Sequence, residues 1–449
     1  MSEAVVSTAR SFIGVAHDTC VRAERTGLEL SLEEITTVVI LLFYGTSSYI
    51  PVLMPNTGGA VTVDSQLDQV HSVNHVVLAL VWTTGAFLIA RSWKYLRLRS
   101  WPALFALSLS FWGMASTLWS ISPSSSFSAG LSAVFSTLFA IYIFGRFSRR
   151  RTTVILTWVF MGLAIGSAAF ALFLPVYGID HFTHEGAWQG VFNQKNTLGN
   201  AMVYAMVVAI AFRAKGSIER IWRAALFLIS AMEVFLSQSR EAWLAAAVAI
   251  MIYSSTKLLT RFAVSDRRFL LPLGAGCTLT LSSLALIYGP LLFRSLGRDA
   301  TLTGRTDLWL ATIEQIPGHW VVGYGLNAFW MSPAATNVYL QIRWEASSAH
   351  NGYLETLLEL GIVGLSLLLL LLLFTWRDAW RTTRNRNLDP SILAYVLISI
   401  LTLLNIVTGA TFSPNSIHWM LLILAASMLE EDAEKNRRIK HAVGLALAM

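Results

Sequence analysis

Long apolar runs recur along this chain of 449 residues, and each is near the length of about 20 residues that a helix needs to cross a bilayer. Only 13% of the residues are charged, and the mean hydropathy is +0.58. A soluble domain carries about 25% charged residues. The sequence therefore predicts an all-α integral membrane protein with about twelve transmembrane helices. The runs lie near 35–54, 74–90, 101–119, 127–145, 152–177, 197–213, 222–238, 241–258, 269–288, 351–375, 391–411 and 414–429.

The positions of the basic residues predict the orientation of these helices, because Lys and Arg are retained on the cytoplasmic side. Four of them follow each even-numbered run and occupy the C-terminal tail, which accounts for 24 of the 33 Lys and Arg. The opposite side holds six, namely Lys195, Arg240, Arg294, Arg298, Arg305 and Arg343. We therefore expect a multi-pass membrane protein with both termini in the cytoplasm.

One connection is much longer than the others. The predicted organisation is a cytoplasmic N-terminal segment at 1–33, helices one to nine at 34–288, a large loop with short helices on the side opposite the cytoplasm at 289–350, helices ten to twelve at 351–429, and a cytoplasmic tail at 430–449. Loops of such length are usually functional. Residues 304–330 read as a short amphipathic helix followed by a turn rich in glycine and aromatic residues, at or near the membrane surface.

Several classes of site are not indicated. The net charge of +7 comes from short clusters between apolar runs, not from the basic patch of a nucleic-acid site. Cys20 and Cys277 form no CxxC motif, so neither a disulfide nor a zinc site is expected. Motifs of serine hydrolases, P-loop proteins and zinc proteases are missing from the sequence, and we expect no metal and no cofactor.

The outward basic residues are candidates because the topology rule disfavours them there. Arg240, in SQSREAW, lies at the end of an apolar run, where an arginine either serves a function or extends to lipid phosphates. Arg305, in GRTDLW, either binds a ligand or pairs with Asp307. Lys195 and Asn196 open the sixth predicted span, where Gly190 and Gly199 permit close backbone approach.

His350 stands at the outer end of the tenth predicted span, with Asn351 in the adjacent helical turn. Histidine is the most frequent general base at neutral pH, although a lone interfacial histidine is often structural. A set of outward arginines with one histidine and no metal ligands fits a site that holds a phosphate-bearing donor and removes one proton.

Six short segments then resemble a known family. They occur in the order SFWGMASTLWSISP (110–123), GVFNQKNTLGN (190–200), SQSREAW (237–243), GRTDLW (304–309), GYGLNAF (323–329) and SSAHNGYLETLLELG (347–361). In order, spacing and predicted placement they resemble the bacterial O-antigen ligase and polysaccharide polymerase superfamily, the WaaL, Wzy and ExoQ-like proteins. The resemblance covers roughly residues 100–425.

The resemblance implies a metal-independent, inverting glycosyltransferase of the bacterial inner membrane, with its large loop (289–350) and its active site on the periplasmic side. Its donor would be a glycan on undecaprenyl pyrophosphate. Arg240 and Arg305 match the arginines expected to bind the pyrophosphate, with Lys195, Asn196 and Asn351 as further substrate-binding residues. His350 matches the histidine expected to act as base or to orient the acceptor.

Three functions remain open at this point. The GxFxxKNxLG pattern at 190–199 favours an exopolysaccharide or O-antigen polymerase, whose acceptor is the sugar end of another lipid-linked glycan. The alternative is an O-antigen ligase that transfers the glycan to lipid A-core. A polysaccharide-lipid transporter is less favoured. An ion-coupled transporter needs ionisable residues near the middle of several spans, whereas Glu233 is the clearest ionisable residue inside any predicted span of this chain. Membrane lipids and polysaccharide assembly proteins are the other expected partners, and nucleic acid is not.

Overall fold

The protein is all-helical in the parts that the computed structural model describes, which are residues 27–46, 64–181, 184–259, 261–262, 266, 305–382, 392–407, 412–413 and 416–448. The helices are α1 (Leu32–Gly45), α2 (Asp64–Arg91), α3 (Trp101–Ala115), α4 (Pro123–Arg146), α5 (Arg149–Phe173), α6 (Pro175–Gly178), α7 (Lys195–Ala211), α8 (Ser217–Leu236), α9 (Arg240–Leu259), α10 (Arg305–Ile313), α11 (Pro333–Ile342), α12 (Gly352–Thr382), α13 (Ile392–Val407) and α14 (Ile417–Ala448). Three short 3₁₀ turns lie at Trp93–Tyr95, Ser116–Leu118 and Phe329–Met331.

Serine side chains define where several of these helices begin. Ser31 and Glu34 form a capping box at the start of α1, in which each side chain bonds the backbone N–H of the other. Ser100 accepts from the backbone of Ala103 at the start of α3, and Ser148 accepts from Arg151 in α5. These caps satisfy N–H groups that have no partner within a helix, so the apolar runs begin at defined residues.

The predicted spans coincide well with the helices. The ninth, 269–288, lies outside the described residues, as do Cys20, Cys277, Arg294 and Arg298. Each of the other predicted spans overlaps a described helix, and the closely spaced seventh and eighth are the separate helices α8 and α9. The all-helical prediction is therefore confirmed for the described part of the chain.

Crossing of the membrane is a stricter property than helix formation. Within the described residues, α4, α5, α9 and α12 are long and apolar enough to cross a membrane by length and composition, and 76–91 and 392–406 are shorter apolar helical segments. These helices are those of a membrane protein. The total of twelve spans stays a prediction.

The interior of the bundle is formed largely by α7 and α14. Helix α7 packs against α8 and α9, while α14 packs against α4, α12 and α13. Trp419 of α14 is fully buried, and its indole N–H donates to the Thr137 hydroxyl over 2.8 Å. Such hydrogen bonds between helices satisfy polar groups that have no access to water.

Ion pairs define one end of this bundle. Arg151 bonds both carboxylate oxygens of Glu34 at 2.6 and 2.8 Å. Arg150 pairs with Glu219 at 2.5 Å, and Arg149 pairs with Glu431 at 3.1 Å. The segment after α4, the starts of α1 and α8 and the polar part of α14 therefore lie together, as the alternating topology requires. Which compartment this end faces stays a prediction.

Helix α12 is interrupted at Gly361, where φ is +64° and ψ is −167°. A Cβ at this position would lie 2.1 Å from the carbonyl oxygen of Val321, so the close approach requires glycine. The N–H of Ile362 donates to the Trp320 carbonyl at 2.8 Å, which satisfies a group that the interrupted helix leaves without its usual acceptor. The break thereby fastens the large loop to α12.

The described part of the large loop has the predicted helix and turn. Helix α10 is followed by a turn in which Gly323 and Gly325 have positive φ, so the predicted helix and turn of 304–330 are found in 305–330. The position of this segment at the membrane surface stays a prediction. Helix α11 is a second short helix in this loop, at a position that the sequence analysis did not specify. A small apolar core holds the loop together, including Leu308, Tyr324 and Phe329 and reaching Leu358 of α12.

Candidate functional site

The site begins at the tight turn between α8 and α9. Gln238 has a φ of +51°, which lets the chain reverse, and the Ser239 hydroxyl caps α9 by accepting from the backbone N–H of Ala242 at 3.3 Å. The indole of Trp243 donates to the Val234 carbonyl at 2.9 Å and ties the two helices together. Arg240 is consequently the first residue of α9, with an exposed side chain.

The start of α7 packs directly onto this turn. A Cβ at Gly199 would lie 2.6 Å from the Cβ of Ala242, which confirms that this glycine permits close approach. The amide of Asn200 donates to Glu241 Oε1 at 3.2 Å. Lys195 is the first residue of α7, and the charge of Arg240 acts on it. The side chain of Asn196 is half-buried and makes no hydrogen bond with the described residues.

Glu241 connects the turn to the large loop. Its Oε2 lies 2.9 Å from a terminal guanidinium nitrogen of Arg305, and both side chains are mostly buried, at 12% and 17% exposed. Asp307, the alternative partner considered for Arg305, is exposed and does not pair with it. This pair brings the Arg305 guanidinium to the residue that follows Arg240 in the chain.

The charges of Arg305 and Glu241 both act on the imidazole of His350. Its backbone is in the left-handed region with φ of +48°, which is uncommon for a residue other than glycine. The Trp344 ring stacks near it, with centroids 6.3 Å apart. A strained residue of this kind persists only where its surroundings hold it.

Two groups hold the chain at His350. The indole of Trp309, one turn along α10 from Arg305, donates to the carbonyl of Ala349 at 2.9 Å. The N–H of Ala349 donates to Glu355 Oε2 at 2.6 Å. The other oxygen of Glu355 accepts from the Trp330 indole at 2.7 Å. Glu355 is therefore placed to fix the backbone, since both of its oxygens are already used as acceptors.

Asn351 caps α12. Its side-chain oxygen accepts from the backbone N–H groups of Tyr353 and Leu354, both at 3.1 Å. This bond uses the oxygen and leaves the amide nitrogen for a ligand. A substrate contact by Asn351 stays a prediction, and its helix cap is the role that the geometry gives it.

The surroundings of the site change the acidity of two basic groups. Burial lowers the pKa of His350 below its usual 6.5, and the positive charge of Arg305 lowers it further, against the opposing charge of Glu241. Burial also lowers the pKa of Lys195. The negative charges of Asp180 and Glu241 act to raise this pKa, and the positive charge of Arg240 lowers it further. At neutral pH the imidazole is therefore uncharged and can accept a proton.

No group of three or more His, Cys, Asp or Glu side chains is positioned to hold a metal ion among the residues that the structure describes.

The six family segments form a connected set. The segments 190–200 and 237–243 meet through Asn200 and Glu241, and 304–309 and 347–361 meet through Trp309 and Ala349. The turn 323–329 pairs with α12, where the N–H of Gly325 donates to the Glu359 carbonyl at 2.9 Å, and with 110–123. Residues far apart in the chain thus build one site.

Sequence reasoning identified the basic residues but missed the acid between them. Glu241 follows Arg240 directly in SQSREAW, and Asn200 lies near Lys195 and Asn196 on α7. Their spacing was available in the sequence. The contacts of Glu241 with Asn200 and with Arg305 were not, because they depend on how α7, α9 and α10 meet.

Comparisons with known proteins agree with the resemblance. The family model described as O-antigen ligase (Wzy_C) matches residues 224–369, which include Arg240, Arg305 and His350. The chain is 25% identical over 305 residues to the exopolysaccharide production protein ExoQ of Rhizobium meliloti (strain 1021), covering 64% of this chain and 67% of that protein. The predicted resemblance to the O-antigen ligase and polysaccharide polymerase superfamily is confirmed.

Proposed function

We propose that this chain, as a protein of the O-antigen ligase and polysaccharide polymerase superfamily, transfers a glycan from an undecaprenyl-pyrophosphate donor to a sugar hydroxyl on the periplasmic side of the inner membrane. The observation that carries the proposal is the Glu241 carboxylate, which pairs with Arg305 at 2.9 Å and whose charge acts on Lys195 and on His350. Arg240 precedes Glu241 in the chain, and its charge acts on Lys195. The proposed reaction inverts the anomeric carbon and uses no metal.

The basic residues suit a pyrophosphate leaving group. Lys195 and Arg240 are the first residues of α7 and α9, so the positive ends of two helix dipoles meet at the site together with the side chains. Arginine donates in a planar fork that fits phosphate oxygens. As the glycosidic bond to the carrier breaks, these groups would stabilise the negative charge that grows on the pyrophosphate.

His350 would act on the acceptor. A sugar hydroxyl becomes a competent nucleophile when its proton is removed as the new bond forms. The imidazole is uncharged at neutral pH because of its lowered pKa, and its backbone is fixed from both sides of Ala349. An uncharged, positioned imidazole has the properties of a general base.

The test of the donor site is a purified Arg240→Lys, Arg305→Lys double variant in lipid nanodiscs, with a lipid-pyrophosphate oligosaccharide as donor and no ion gradient. Lysine keeps the charge but loses the two-donor fork, so transfer should fall by roughly 100-fold or more. The matched control is Arg343→Lys, which changes an exposed arginine of the same loop. Near-normal transfer by the double variant would refute the proposed pyrophosphate contact.

The acceptor distinguishes polymerase from ligase. We propose the polymerase, supported by the 190–199 pattern and by the likeness to a protein named for exopolysaccharide production. The family description supports the ligase as the alternative. Wild-type protein should extend a second lipid-linked glycan and leave lipid A-core unmodified when both are offered. The reverse result would establish the ligase.

The periplasmic position of the site is tested by accessibility. Single cysteines replacing His184 and Leu340, both exposed, should react with a membrane-impermeant maleimide in intact spheroplasts, and one replacing the exposed Arg220 should not. Cys20 and Cys277 are changed to serine in this background. Reaction at 220 in intact cells would overturn the orientation.

A further inference from the structure

Glu241 is an acid in a place that is otherwise basic. Its carboxylate bonds Arg305 at 2.9 Å and Asn200 at 3.2 Å, and its charge acts on Lys195 and His350. An acid beside a site for an anionic ligand opposes binding of that ligand. Its presence therefore needs a reason other than donor affinity.

The geometry of the Arg305 contact supplies that reason. Arginine has five N–H donors, and the bond to Glu241 uses a single terminal nitrogen. The rest of the guanidinium stays available for phosphate oxygens. Because Glu241 is itself held by Asn200 and lies in the first turn of α9, it fixes where the Arg305 guanidinium points before any donor arrives.

We propose that Glu241 is an internal counterion of the phosphate site: it positions Arg305 and, by its negative charge, limits how tightly pyrophosphate is held. This inference rests on the proposed function, because it assumes that Arg305 contacts the donor pyrophosphate. The carrier pyrophosphate is also the leaving group, so a site of uncompensated cations would retain it after transfer. A buried carboxylate that shares Arg305 weakens that retention.

The experiment compares Glu241→Gln with a matched control, Glu314→Gln. Both changes remove one negative charge and keep the shape, but Glu314 is exposed and bonds Gln341 away from the site. Inorganic pyrophosphate serves as the probe, measured by its direct binding and by its inhibition of transfer. Glu241→Gln should bind pyrophosphate roughly ten-fold more tightly, since an opposing charge at this range is lost.

Turnover should change in the opposite direction. With its guanidinium no longer fixed, Arg305 should act less well, and kcat in Glu241→Gln should fall roughly ten-fold or more. Glu241→Asp keeps the charge on a shorter side chain, so its pyrophosphate affinity should stay near wild type while its kcat is intermediate. A purely structural acid would lower the melting temperature and weaken pyrophosphate binding, and that result would overturn the proposal.

Arg305→Ala separates failure of this inference from failure of the proposed function. If Arg305→Ala weakens pyrophosphate binding but Glu241→Gln matches Glu314→Gln, only the counterion role is wrong. If Arg305→Ala binds pyrophosphate like wild type, the pyrophosphate site itself is misplaced and the proposed function fails with it.

Discussion

The indole N–H of Trp309 lies 2.9 Å from the carbonyl oxygen of Ala349 and donates a hydrogen bond to it. Trp309 is on α10, four residues after Arg305, and Ala349 immediately precedes His350. One hydrogen bond therefore connects the helix that carries Arg305, the arginine proposed to bind pyrophosphate, to the peptide that carries the proposed base. The relative position of the two groups depends on it.

Replacing Trp309 with Phe tests that dependence. The variant keeps a six-membered aromatic ring but removes the indole N–H. The Ala349 carbonyl therefore loses its hydrogen-bond partner, at a cost of about 1–3 kcal/mol in unfolding free energy. Transfer should fall roughly ten-fold or more, because the displaced peptide carries His350. Trp320→Phe is the control, since that side chain is 58% exposed. Equal transfer by both variants would show that this bond does not position the base.

His350→Ala should lose roughly 100- to 10,000-fold in turnover if the imidazole accepts the acceptor proton. Because alanine tolerates a positive φ poorly, His350→Asn is the companion variant: asparagine accepts the left-handed backbone but has no basic nitrogen. We expect the Asn variant to keep its melting temperature and its affinity for the donor. Turnover close to wild type in either variant would remove His350 from the mechanism.

Turnover should also depend on pH in a defined direction. The pKa of His350 is lowered from 6.5, so its neutral form persists below that pH, and kcat/KM should decline only as the pH falls through the lowered value. Glu241→Gln removes a charge that raises this pKa and should move the acidic limb to still lower pH. The charge of Arg305 lowers the pKa of His350, so the residual kcat/KM of Arg305→Ala should begin to decline at a higher pH than in the wild type. An acidic limb that is the same in all three proteins would contradict the assignment.

Glu233 offers a test of the hypothesis that the protein is a transporter. It is fully buried in α8, and neither carboxylate oxygen has a hydrogen-bond partner among the described residues, although the backbone of Ala168 lies near. An unpaired buried polar group is costly, so Glu233→Met should raise the unfolding free energy by about 1–3 kcal/mol. Glycan transfer should be unchanged. An ion-coupled transporter would lose its function in this variant, and such a loss would favour transport.

The structure separates the roles of two other carboxylates from that of His350. Glu355 has both oxygens occupied by the Trp330 indole and the Ala349 N–H. Asp307 is exposed on α10 and forms no ion pair with Arg305. The geometry therefore favours His350 as the base and gives Glu355 the task of holding the backbone next to it.

The sequence by itself determined the helices and the kinds of residue at the site. Runs such as 127–145 and 152–177 could be identified as membrane helices because a helix in lipid requires about 20 apolar residues in succession. This requirement is a local property of the chain. Arg240, Arg305 and His350 were readable because ionisable residues at the outer ends of such runs are costly and therefore informative. Their chemistry belongs to the side chains, whatever the fold.

Only the tertiary structure decided how these residues meet. Arg305 pairs with Glu241, 64 positions away, and Trp309 reaches Ala349, 40 positions away. Position 361 in α12 requires glycine because the carbonyl oxygen of Val321 lies so close to it. Val321 belongs to a loop that the sequence alone could not place against α12. Contacts of this kind follow from which helices pack together. In a membrane protein the pattern of apolar residues identifies each helix, but it says much less about which helices are neighbours. The reason is that lipid and the interior of the bundle are equally apolar.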